Sequence, residues 1–155
     1  MDDILIDIKA ESEYITRTLD ALEEALSRDD LTIVELTAIA SFIQNIYGGI
    51  ENLLKRTLVF HGIPVPSTLS SHKDLLLTAY NNKMISEGLY KDLDVYRAFR
   101  HFHIHGYGIQ IVPGKLLPLA ENIPDVWYKF ESELMRNIRP PTKKKKNARS
   151  KKKNK

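Results

Sequence analysis

The feature that most constrains this chain is a long apolar run at helical spacing. Between positions 31 and 60, apolar side chains fall at Leu31, Val34, Leu36, Ile39, Ile43, Ile46, Ile50, Leu53, Leu54 and Leu58. Steps of three and four place such residues along one side of an α-helix. Residues 2–28 repeat the pattern with Ile4, Ile8, Ile15, Leu19, Leu22 and Leu26, and Arg28-Asp29-Asp30 breaks it. Acidic residues fill the first turn, where the helix dipole favours them. The second run carries Gly48-Gly49 in its middle, at a cost of roughly 1 kcal/mol per glycine relative to alanine. Such a pair marks a close backbone approach by a neighbour or a kink. The run closes near His61-Gly62, a C-cap signal.

The remainder reads the same way in shorter pieces. The two-proline stretch 63–71 is a loop, and Ser70 or Ser71 caps a short helix over 72–80. Asn81-Asn82 is a break. Ser86 and Glu87 open a helix running toward 105, which Gly106 and Gly108 end. A last helix spans 115–138, with Pro124 either kinking it or sitting at its start. Trp127 and the aromatics of 127–130 are assigned to the core. The run 109–112 is too short to build a sheet, and there is no internal repeat. The expectation is an all-α bundle of two long antiparallel helices plus two or three shorter ones.

Charge divides the chain in two. Residues 142–155 hold eight lysines, one arginine and no acid, which leaves 14 basic against 20 acidic residues in the body, a charge near −6. The expected division is a helical domain over 1–139 and a disordered Lys-rich tail over 140–155. The tail either attracts RNA or an acidic partner without sequence preference, or simply solubilises the chain. With 155 residues and no cysteine, the chain has one domain's length and no thiolate chemistry. The missing cysteines agree with a cytoplasmic location. No stretch approaches eighteen consecutive apolar residues, so no membrane span is expected. The acidic N-terminus has no basic region followed by an apolar one and does not read as a signal peptide.

The segment 97–108, RAFRHFHIHGYG, concentrates chemistry. Arginine offers a permanent charge in a planar fork suited to phosphate. Histidine gives and takes protons near neutrality. Together they suit a phosphodiester and need no metal or other cofactor. Arg100 and His105 lie five apart, roughly 140° around an ideal helix. Either the helix loosens at the glycines, or two copies of the segment pool their side chains.

This segment resembles the R-x4-6-H motif of HEPN-domain ribonucleases, closest to the HepT-like toxins. There the order is Arg, a polar residue, three variable residues, His, one residue, then Tyr. Arg100, His101, His105 and Tyr107 stand in that register, with His101 where the family usually has Asn. IYGGIENLLKR (46–56) is similar to the family's Y-x-G-x-E-x-x-L-K run. HKDLL (72–76) is similar to its W-H-x-x-L-L run, with Ser71 in place of the Trp. The resemblance covers roughly 40–140. It implies a HEPN-like bundle that forms a homodimer and cuts RNA without metal by attack of the 2′-OH. It implies that His105 is a general acid or base and that Arg100 binds the scissile phosphate. It implies that His101 orients one of them or touches phosphate. It also implies a partner, an MntA-like nucleotidyltransferase antitoxin that adds AMP to Tyr107.

Plainer readings stand beside these. Arg100 is otherwise a surface arginine, and His105 a helix-ending histidine favoured by the dipole. Tyr107 is otherwise a turn anchor between glycines. Glu51 either salt-bridges an arginine of the motif, as a supporting residue, or is an exposed helix-face glutamate. His101 and His105 share the i,i+4 spacing of metal ligands, but no third ligand stands at a telling distance. His103 points away from both and receives no role. A non-catalytic HEPN module that binds a nucleotidyltransferase is the alternative function.

Overall fold

Helix α2 (Ile33–Phe60) is the axis of a five-helix computed structural model that describes residues 2–67, 71–103 and 111–139. The others are α1 (Asp2–Leu26), α3 (Ser71–Asn81), α4 (Glu87–Phe102) and α5 (Pro113–Ile138). α2 packs against all four. By length and composition α2 is apolar enough to cross a membrane. Here the middle of the helix is covered by its neighbours instead: Ile39, Ile43, Ile46, Ile50, Leu53 and Leu58 are all buried, while Val34 in its first turn and Val59 in its last are exposed. No strand occurs among the described residues.

Local chemistry fixes both ends of α2. Thr32 is its N-cap and accepts from the Val34 N–H. Glu35 closes a capping box, accepting from the Thr32 N–H at 2.8 Å and from the Thr32 hydroxyl. These bonds hold the Glu35 carboxyl below its ordinary range. At the far end Gly62 takes φ 70°, a left-handed conformation that glycine adopts without penalty. The Ile63 N–H then reaches the Leu58 carbonyl at 2.9 Å.

α1 runs antiparallel to α2, with Asp7 paired to Arg56 and Ile15 lying against Gly49. The glycine pair has two unequal members. A Cβ at Gly49 would come within 2.8 Å of Ile15 Cδ1, whereas one at Gly48 would meet nothing within 4 Å. The close approach expected from the sequence belongs to Gly49 alone.

α5, at 26 residues, is comparable in length to α1 and α2, at 25 and 28. It starts at Pro113, where a missing N–H costs nothing because first-turn donors have no intrahelical partner. Pro124 is therefore not at its start, and both Pro118 and Pro124 lie inside the helix. Trp127 and Phe130 are buried as expected, but Tyr128 is 60% exposed. The correction follows from helix geometry: 127 and 130 share a face, and 128 is turned about 100° from it.

α4 is anchored along its length. Ser86 caps it, accepting from the Leu89 N–H at 3.3 Å, and Glu133 of α5 accepts from the Ser86 N–H at 3.0 Å. Asn137 donates to the Met84 carbonyl, and the Tyr96 hydroxyl donates to the Leu119 carbonyl at 2.8 Å. Tyr80 of α3 stacks on Tyr90 of α4. The helix that carries the arginine–histidine segment is thus held by α5 on one side and α3 on another.

Candidate active site

Three helices deliver one polar cluster. Glu51 comes from the middle of α2, His72 from the first turn of α3 and Arg100 from the last turn of α4. The Glu51 side chain is 3% exposed, yet both its oxygens are used. Oε2 lies 2.6 Å from His72 Nδ1, and Oε1 accepts from Arg100 Nη1 at 3.3 Å. A buried carboxylate is costly unless hydrogen-bonded and charge-paired. Glu51 meets that requirement with one imidazole and one guanidinium.

The geometry between the two partners is informative. Arg100 Nη1 lies 3.3 Å from His72 Nδ1 and 3.2 Å from Nε2. A single nitrogen nearly equidistant from both ring nitrogens, at that range, sits over the ring face and not along either in-plane lone pair. Guanidinium groups stack on flat π surfaces in this way. Arg100 is partly exposed and His72 half-exposed, so the buried carboxylate is the floor of the cluster and the two bases form its rim.

The neighbouring residues sort the two arginines of the segment. Arg97 is bonded to Asp94 Oδ1 at 2.7 Å, one turn back on its own helix. That hydrogen bond raises its pKa above the usual arginine value. Its charge is largely answered within α4. Arg100 instead reaches across to α2 and α3. Tyr47 stands one turn before Glu51, fully buried, and its hydroxyl has no bonding partner among the described residues. Burial first, and the Glu51 charge second, push its phenol far above the ordinary tyrosine value. Tyr47 therefore stays neutral.

The arginine–glutamate contact offered by the sequence is present, and the exposed-glutamate alternative is excluded by the burial of Glu51. His101 follows Arg100 on α4 and is exposed. His103 stacks on Phe99, in keeping with a packed residue. His105 and Tyr107 lie outside the described residues, as does the tail over 142–155. Among the described residues no group of three or more His, Asp or Glu side chains is placed to hold a metal ion. His72 received no role from the sequence. Its signal was present all the same, because it opens the HKDLL block, as Tyr47, Gly49 and Glu51 stand in the block before it.

A family model described as HepT-like protein matches residues 38–139, well over half of the chain. It spans Glu51, His72 and Arg100 together. No curated protein and no solved structure matches the chain.

Proposed function

The chain belongs to the HepT-like family, and on that premise we propose that it is a metal-independent endoribonuclease, the toxin of a toxin–antitoxin module. The observation that carries the reading is the placement of Arg100. Its guanidinium, in the last turn of α4, is bonded to the buried carboxylate of Glu51 and is itself only partly covered. A guanidinium held this way is a preorganised donor for a phosphate that gains charge as the reaction proceeds.

In this reading Arg100 binds the scissile phosphate and stabilises its developing charge. His105 transfers a proton, and His101 orients the pair or touches phosphate. The nucleophile is the 2′-OH of the RNA. Two protomers pool their segments in a homodimer. The exposed apolar residues Val95 and Phe102, seven apart on one face of α4, support such pairing. The partner is an MntA-like nucleotidyltransferase antitoxin that adds AMP to Tyr107. The added AMP brings bulk and a phosphate's negative charge to the arginine–histidine segment and blocks RNA. The whole acts in the cytoplasm.

Replacing Arg100 or His105 by alanine is expected to abolish both RNA cleavage and growth inhibition, with the helical circular dichroism unchanged. Full activity in either variant contradicts the nuclease. One observation favours a second reading, a non-catalytic module that binds a nucleotidyltransferase: His101 occupies the place where the family usually has Asn. Growth inhibition on expression of the wild-type chain alone fits only the nuclease.

A further inference from the structure

We propose that His72 is a second proton-transfer residue of this site, a general base set in its working tautomer by Glu51. The inference rests on the nuclease reading and goes beyond it, because it assigns a catalytic role to a residue outside the arginine–histidine segment.

The carboxylate of Glu51 can only accept a hydrogen bond. At 2.6 Å from His72 Nδ1, it fixes the proton on that nitrogen. In the neutral ring the lone pair is then left on Nε2. Arg100 does not consume it, because its Nη1 lies over the ring face, at 3.3 and 3.2 Å from the two nitrogens. Burial completes the arrangement. The Glu51 side chain is 3% exposed while that of His72 is 49% exposed, so the orienting group is shielded and the reactive edge is open. A carboxylate that orients a histidine through Nδ1, leaving Nε2 to do the chemistry, is an established division of labour. α3 packs against α2 and α4, and among the described residues Glu51 of α2 and Arg100 of α4 meet His72.

The reaction balances without metal or redox partner. A phosphate held on the outward nitrogens of Arg100 lies beside the His72 ring. Nε2 removes the proton of the adjacent 2′-OH. The O2′–P bond forms, the P–O5′ bond breaks, and the departing 5′ oxygen takes a proton from water. The products are a 2′,3′-cyclic phosphate and a 5′-hydroxyl. The protonated His72 then gives its proton to the hydroxide left behind and returns to its starting state.

The test combines kinetics with a measurement that does not depend on RNA. Wild type and His72→Ala are compared on RNA across pH, with and without added imidazole. General-base loss of this kind lowers rates by about 10²–10⁴-fold. The variant should lose that much, lose the rise in rate that accompanies base deprotonation, and recover part of it with imidazole. A His72→Ala rate within a few-fold of wild type, or an unchanged pH profile, overturns the assignment. The nitrogen-15 shifts of the His72 ring in the full chain should report the Nδ1–H tautomer, and an Nε2–H tautomer overturns it whether or not RNA is cut. Wild type that cuts no RNA, with the Nδ1–H tautomer present, counts against the nuclease reading and leaves the Glu51–His72 orientation standing.

Discussion

At the scale of single residues, Glu51 decides most. Glutamate in a helix interior is usually a solvent-facing residue, and its sequence neighbours do not reveal otherwise. Burial makes it an obligate acceptor for two partners, so it draws Arg100 and His72 into one cluster. Tyr47, one turn away, is the opposite case. Its hydroxyl is removed from water and finds no partner among the described residues, and such a group costs about 1–3 kcal/mol. Tyr47→Phe keeps the ring and removes the stranded hydroxyl. It should raise the unfolding free energy by about 1 kcal/mol in urea denaturation. A loss of similar size would show that the hydroxyl is bonded after all.

At the scale of elements, the contact between α1 and α2 sets the spacing of the bundle. Gly49 lets Ile15 approach the α2 backbone, and Gly48 faces open space. The two glycines should therefore respond oppositely to alanine. Gly48→Ala gains helix propensity and should stabilise the fold by up to about 1 kcal/mol. Gly49→Ala brings a methyl group into Ile15 and should destabilise it by about 1–2 kcal/mol, overpacking outweighing propensity. Chemical denaturation of both variants checks the sign as well as the size. Equal effects at the two positions would mean that the close approach is absent.

α4 shows how an element turns sequence into a site. Its cap, its bonds to Glu133 and Leu119, and the Tyr80–Tyr90 stack fix its position before the arginine is reached. Arg100 is the last-turn residue whose direction those anchors decide.

At the scale of the whole molecule, the charge is split between an acidic body and nine positive charges in residues 142–155. An acidic body repels RNA at long range, and a basic tail counters it. Deleting 142–155 should weaken RNA binding at low salt and flatten its dependence on salt. Each lost phosphate contact should reduce the log–log slope by about 0.7, the value for single strands. Identical affinities of the two forms at low and high salt would remove the tail from the binding process.

The apolar spacing by itself determined that this chain is helical and where α1 and α2 run, because a 3.6-residue period gathers the apolar residues on one face; the expected end of α4 near 105 lies outside the described residues. Residue type placed Gly62 and Ser86 at helix ends, since those positions follow from local backbone chemistry. The arginine–histidine segment and the resemblance it carries put Arg100 forward, with a salt bridge to Glu51 as one of two readings of that glutamate. Only the tertiary structure decided that Gly49 and not Gly48 is the contact glycine, that α5 begins at Pro113, and that His72 shares the carboxylate of Glu51. Those outcomes depend on which helix lies against which. Residues 49 positions apart in Glu51 and Arg100, with His72 between them in the chain, meet only after three helices have packed.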